Sequence, residues 1–279
     1  MKFVDDTRVP IEPYPELRKV LEAFVKSVSA ELAENLVGIY LVGSLAVGDF
    51  DLDSDVDFLV VTRAEVTEKN TISLQVIQES IYAMGCYPAQ HLEGSYISIN
   101  DLTDWQTVGK KEVYYFDNGS TEIERATHDN RWHVRWILRE RGITLKGQKP
   151  EAYLQPIPAQ ELTREMKAAM REVMKGFEAA IDQPRCYQNS RFGQPFTVLT
   201  FCRMLQTLQT GTVQSKKAAV SWAKGVVEPK WVNLIEQAWI EREGVRFMVK
   251  IKQRAEQAAL DETLAFMRYV VGLVDGMDK

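Results

Sequence analysis

From Glu16 onward the apolar positions Leu17, Val20, Leu21, Phe24, Val25, Val28, Leu32 and Leu36 recur at intervals of three and four. That spacing describes one face of a helix. The period then changes. Gly38 to Gly43, GIYLVG, is a short apolar run that reads as a buried strand. A loop of Gly and Asp leads to DVDFLVV, Asp55 to Val61, a second strand. Residues 68 to 84 return to helical spacing through Ile72, Leu74, Val76, Ile77 and Ile81, and GSYISI, Gly94 to Ile99, is a third strand.

The second half has a different rhythm. Gln160 to about Asp182 is helical in spacing, with Leu162, Met166, Met170, Val173 and Phe177 on one face. A helix follows from about Pro195 to Gln209, with Gly211 placed to cap it. Two more are expected at about 230 to 242 and 245 to 274. Pro150, Pro156 and Pro158 punctuate the junction. The expected layout is a mixed α/β domain over residues 1–155, with a small mixed sheet and helices, and an all-α helical bundle over 156–279.

Composition narrows the function. The chain has 279 residues, 45% of them hydrophobic, enough for one large or two modest cores. A net charge of -5 argues against a sequence-independent grip on nucleic acid and suits a cationic small molecule. Cys86, Cys186 and Cys202 form no metal or disulfide pattern and read as free thiols of a reducing compartment. The N-terminal stretch lacks an apolar signal core, and no apolar run approaches the roughly 18 residues of a membrane helix. A soluble, cytoplasmic protein, monomeric and without membrane or nucleic-acid partners, is the expectation.

The segment LVGSLAVGDFDLDSDVDFLVV carries the chemistry. At Gly43-Ser44 a strand ends where a glycine lets the backbone approach a ligand closely. A helix starting at Ser44 would aim its N–H groups at a phosphate. Asp55 and Asp57 stand at i and i+2 at the head of an apolar strand, so both side chains leave one face. Two carboxylates about 6 to 7 Å apart in Cα position repel each other. A hard divalent cation such as Mg²⁺ removes the conflict. Asp49, Asp51 and Asp53 read as an ordinary solvated loop.

This order of apolar strand, Gly-Ser, spacer, Asp-x-Asp and apolar strand resembles the nucleotidyltransferase superfamily that includes DNA polymerase beta and the antibiotic nucleotidyltransferases. The resemblance implies that Asp55 and Asp57 bind one or two Mg²⁺, and that Gly43 and Ser44 hold the triphosphate of ATP. Glu93, just before the third strand, is the candidate third acid and general base.

Val198 to Ala223, VLTFCRMLQTLQTGTVQSKKAAVSWA, resembles the streptomycin/spectinomycin adenylyltransferases. Leu199, Thr200, Arg203, Thr210, Gly211, Lys216, Ala219, Trp222 and Ala223 follow that family's pattern without a gap. The likeness implies that Lys216 contacts the nucleotide, with Arg203 beside it. Trp222 reads as core. His128 and His133 are too few to read as a metal site. The family recognises its aminoglycoside with acidic and Trp side chains near the start of this helix. Here no acid occurs from Gln183 to Phe201. Glu178 and Asp182 are the nearest acidic candidates, and Trp132 and Trp136 the aromatic ones.

The activity implied is Mg²⁺-dependent transfer of AMP from ATP to a hydroxyl of an aminoglycoside or aminocyclitol antibiotic, releasing pyrophosphate. Two other classes compete. A transferase acting on protein or RNA, of the toxin–antitoxin type, fits the Asp-x-Asp turn but not the acidic charge or the helical half. A non-catalytic nucleotide-binding protein has no use for three acids.

Overall fold

The structure, a computed structural model, describes residues 14–51, 54–183, 186–242 and 250–277. The chain divides into two compact units, one ending at Ile157 and one beginning at Pro158.

The first unit opens with α1 (Pro15–Leu32), whose first helical residue is proline, where a missing N–H costs nothing. Its apolar face, Leu17 to Leu32, is buried as the spacing predicts. Leu36 departs from that reading. The helix stops at Ala33, which takes a positive φ of 44, and after a 3₁₀ turn Leu36 begins β1 (Leu36–Leu41). A short α2 (Gly43–Ala46) and the acidic loop lead to β2 (Val56–Thr62). Next come α3 (Glu68–Tyr82), α4 (Tyr87–Gln90), β3 (Leu92–Ser98) and α5 (Ile99–Thr103). Helix α3 begins in a reciprocal capping box, Thr67 with Asn70. The unit then adds β4 (Val113–Phe116), β5 (Glu124–Ala126), α6 (Trp132–Glu140) and β6 (Ile143–Gly147).

The strands form one mixed sheet in the order β5-β4-β3-β2-β1-β6. Only β2 and β3 run parallel; the other neighbours are antiparallel. The core joins the buried face of α1 to Ile39, Leu41, Phe58, Val60 and Tyr96 of the sheet. Phe24 and Phe58 meet with ring centroids 4.6 Å apart.

The direction of the strands decides where the chemistry sits. β1 is antiparallel to β2, β2 is parallel to β3, and β3 is antiparallel to β4. The end of β1, the starts of β2 and β3, and the end of β4 therefore share one sheet edge.

The second unit is helical: α7 (Ala159–Ala180), α8 (Gly193–Thr210), α9 (Lys216–Ala223), α10 (Val232–Arg242) and α11 (Gln257–Gly276). Its own core gathers Phe177, Phe201, Leu205, Ile235, Phe266 and Met267. The single helix expected at 245–274 is a correction. Residues 243–249 lie outside the described residues, and the chain around Gln253–Ala255 is not helical. There it pairs by backbone hydrogen bonds with Asn189 and Arg191, so the final helix begins only at Gln257. Among the described residues no helix is long and apolar enough to cross a membrane.

Candidate active site

The site grows from the shared sheet edge. β1 delivers the chain to Val42, whose N–H bonds the Asp57 carbonyl at 3.0 Å and ties the turn to β2. Gly43 then takes φ +57, and a Cβ there would fall on the Asp57 carboxylate. Glycine satisfies both demands, the left-handed backbone and the close approach. Ser44 Oγ is buried and has no hydrogen-bond partner among the described residues. An orphaned buried hydroxyl is costly and marks a place where a polar ligand would be accommodated.

Asp57 lies on β2, and its partner across the parallel pair is Glu93. This corrects the placement of Glu93: it is the second residue of β3, inside the strand and not ahead of it. Its side chain is only 13% exposed. Burial, reinforced by the charges of Asp57, Asp55 and Asp129, pushes the Glu93 carboxyl up to about 8, against the opposing hydrogen bond from Tyr115. In the free protein at neutral pH Glu93 is therefore largely protonated.

Asp55 immediately precedes β2. Asn118 Nδ2 donates to Asp55 Oδ1 at 2.7 Å, and His91 Nδ1 lies 3.8 Å from the same oxygen. On the other side, Tyr115 Oη is 2.5 Å from Glu93 Oε1 and 3.0 Å from Asp117 Oδ1. A phenol has one proton, so it cannot donate to both. The Tyr115 hydroxyl therefore sits between two acids and donates to Glu93 or to Asp117, one at a time. His128 Nδ1 lies 3.7 Å from Glu93, and Ser95 Oγ donates to Asp129 Oδ2 at 2.7 Å on the same strand face as Glu93.

The donors at this edge are carboxylate oxygens, which suit a hard cation such as Mg²⁺. Among the described residues no three His, Cys, Asp or Glu side chains are already gathered around one point as a cation cage. Asp55 and Asp57 could supply two protein ligands, and Mg²⁺ is commonly completed by substrate phosphates and water.

Gly43, Ser44, Asp55, Asp57 and Glu93 are thus brought together by one sheet edge. Trp132, the first residue of α6 in the same unit, packs edge-on against Trp105, with centroids 5.2 Å apart. Trp136 is buried. The remaining candidates belong to the second unit. Arg203 is half-buried on α8. Lys216 opens α9 behind the Ser215 cap, its Nζ 5.4 Å from the centre of the Phe196 ring. Glu178 is ion-paired with Arg268 at 2.7 Å, and Asp182 is exposed.

Sequence reasoning missed Tyr115, Asp117, Asn118 and His91, and discounted His128. The signal was present in the apolar run Val113 to Phe116 followed by Asp-Asn-Gly, a strand followed by a turn.

Comparison with known proteins decides the family. Residues 17–107 match the nucleotidyltransferase domain, and residues 152–270 match the aminoglycoside adenylyltransferase C-terminal domain. The chain belongs to the aminoglycoside adenylyltransferases of the nucleotidyltransferase superfamily. This adenylyltransferase is 27% identical over 239 residues to a spectinomycin 9-adenylyltransferase of Staphylococcus aureus, covering 80% of the chain and 82% of that relative. It is 23% identical over 216 residues to an aminoglycoside (3'') (9) adenylyltransferase of Rhizobium radiobacter, covering 75% of the chain and 76% of the relative. Its backbone is similar to a crystal structure of an Enterococcus spectinomycin adenylyltransferase with ATP and spectinomycin. That match has a TM-score of 0.66 and 16% identity, and covers 91% of this chain and 99% of that one. At that identity the structural likeness concerns the fold. Both expectations, of an α/β nucleotidyltransferase fold joined to a helical C-terminal region and of an aminoglycoside-type adenylyltransferase, agree with these findings.

Proposed function

We propose that the adenylyltransferase moves AMP from ATP to a hydroxyl of a spectinomycin-type aminocyclitol or an aminoglycoside antibiotic, releasing pyrophosphate and inactivating the drug. The observation that carries this reading is the pairing of Asp57 with Glu93 across two parallel strands, with Asp57 seated on the Gly43 turn. The named relatives supply the acceptor class.

Asp55 and Asp57 hold Mg²⁺, whose contribution when bound is to neutralise the triphosphate. Gly43 and Ser44 take the triphosphate against the turn, the Ser44 hydroxyl gaining a partner it lacks among the described residues. Lys216 and Arg203 add positive charge toward the phosphates. Glu93 accepts the proton of the acceptor hydroxyl as that oxygen bonds the α-phosphorus and the bond from the α-phosphorus to the bridging oxygen breaks. Burial and the Asp57 charge raise the Glu93 carboxyl, and positive charge entering the site favours its ionised form. Trp132, Asp182 and Glu178 are the acceptor-side candidates. Glu178 is the weakest of them, because Arg268 already neutralises it.

The deciding experiment is mass spectrometry of ATP/Mg²⁺ reactions with spectinomycin, streptomycin and a panel of other aminoglycosides. An acceptor gaining one AMP is the expected result. No adduct on any acceptor, with ATP bound, removes the reading.

A further inference from the structure

We infer that the end of β4 and the turn leaving it are the aligning device of the active site, with Tyr115 and Asn118 as positioning residues for two carboxylates, Glu93 on β3 and Asp55 just ahead of β2. The inference rests on the roles proposed above for Asp55 and Glu93. It goes beyond them by assigning what holds each acid in place.

The geometry has three parts. First, β4 is antiparallel to β3, with Ser95 opposite Tyr115 and Gly94 opposite Phe116. The end of β4 therefore falls beside the start of β3, where Glu93 stands. Second, Tyr115 Oη reaches Glu93 Oε1 at 2.5 Å, from a side chain that is only 4% exposed. Asp117, two residues on, contacts the same hydroxyl at 3.0 Å. The phenol is thus held from both sides and fixes the Glu93 rotamer. Third, Asn118 lies just past the strand and donates its amide to Asp55 Oδ1 at 2.7 Å.

The orientation of that amide is itself determined. Asn118 Oδ1 is 2.9 Å from His91 Nδ1. The Asp55 carboxylate only accepts, so the amide nitrogen must face it, which leaves Asn118 Oδ1 toward His91 and puts the imidazole proton on Nδ1. His91 is in turn stacked on Tyr87, with ring centroids 4.1 Å apart. A chain of contacts runs Tyr87, His91, Asn118, Asp55. A second runs Asp117, Tyr115, Glu93. Both pass through four consecutive residues, Tyr115 to Asn118. Outer partners that orient ligating or reacting carboxylates typically contribute about 10- to 100-fold to metal affinity or rate.

The two chains predict opposite kinetic signatures, which a general loss of fold cannot imitate. Tyr115→Phe should lower kcat about 10- to 100-fold with the KM for Mg²⁺-ATP unchanged. Asn118→Ala should weaken calorimetric binding of Mg²⁺-ATP about tenfold or more, a readout independent of turnover. Tyr115→Phe should leave that binding alone. A double-mutant cycle guards against a merely structural effect: in a Glu93→Gln background, Tyr115→Phe should cause little further loss of kcat. Additive losses in that cycle, or wild-type kcat in Tyr115→Phe together with wild-type Mg²⁺-ATP affinity in Asn118→Ala, would overturn the inference. A wild-type protein that binds Mg²⁺-ATP yet adenylylates no acceptor would instead remove the functional reading, and this inference with it.

Discussion

Replacing Glu93 with Gln probes the electrostatics of the site before any substrate is added. The Glu93 carboxyl is pushed from 4.5 up to about 8, by burial first and by the Asp57 charge second. Its folded pKa lies above its unfolded one. Its contribution to stability is therefore complete below about pH 4.5 and is lost as pH rises through about 8. At about 1.4 kcal/mol per pH unit, the distance from 4.5 to about 8 caps the loss at about 5 kcal/mol. Relaxation and water entry around the charged form bring the expected loss to about 2 to 4 kcal/mol. Gln mimics the protonated acid and has nothing to ionise. Urea melts of wild type and Glu93→Gln, without Mg²⁺ or nucleotide, should nearly coincide at pH 5. They should separate by that amount at pH 9, the variant being the more stable. For a unit of this size the gap corresponds to about 5 to 15 °C in Tm. The same variant should keep Mg²⁺-ATP affinity within a few-fold and lose about 10²- to 10⁴-fold in kcat. Parallel stability curves from pH 5 to 9 would show that Glu93 does not sit in a buried, anionic pocket. Collapse of Mg²⁺-ATP binding in the variant would make Glu93 a ligand and not the base.

Three further expectations follow from the same geometry. Asp57→Asn and Asp55→Asn should each abolish turnover while leaving urea stability of the free protein level or higher above pH 7, since each removes a charge that opposes Glu93 ionisation; near-wild-type turnover in either would contradict the metal assignment. Gly43→Ala should destabilise the fold by about 1 to 3 kcal/mol and reduce turnover at least tenfold, because the added Cβ meets the Asp57 carboxylate at a left-handed backbone position. Lys216→Ala should shrink the rise in Tm that Mg²⁺-ATP produces, and an unchanged rise would take Lys216 out of the nucleotide site.

The strands and helices that bury one continuous apolar face were legible in the sequence. α1 and α7 show their period directly, β1 and β2 read as short apolar runs, and α3 is a helix as expected although Ile72 and Val76 of its apolar spacing are exposed. What was not legible depends on partners far along the chain. β4 and β5 are only four and three residues long, too short to show a period. β6 reaches its partner β1 across about a hundred residues. The helix expected at 245–274 failed for a related reason. Its apolar spacing continues, but the backbone near Gln253 bonds to Asn189 and Arg191 instead of to itself. At the site, the acids were visible because Asp-x-Asp is a local pattern. Tyr115, Asn118 and His91 act only through contacts across strands, and no local spacing encodes those.

The position of Glu93 shows how a sequence feature with no chemistry of its own sets the chemistry. Asp57 faces Glu93 only in one register of the parallel pair, and a slip of one residue would turn Glu93 to the opposite face of the sheet. Gly94 holds that register. It lies opposite Phe58, and a Cβ at Gly94 would overlap the Phe58 carbonyl and crowd its ring. Phe58 is in turn fixed by the rings of Phe24 at 4.6 Å and Tyr96 at 5.7 Å, so it cannot yield. Only a residue without a side chain fits there, and its neighbours Glu93 and Ser95 both carry one. The pair Glu93-Gly94 is therefore a single unit. The glycine meets the aromatic core, and by doing so it places the carboxylate one residue earlier beside Asp57.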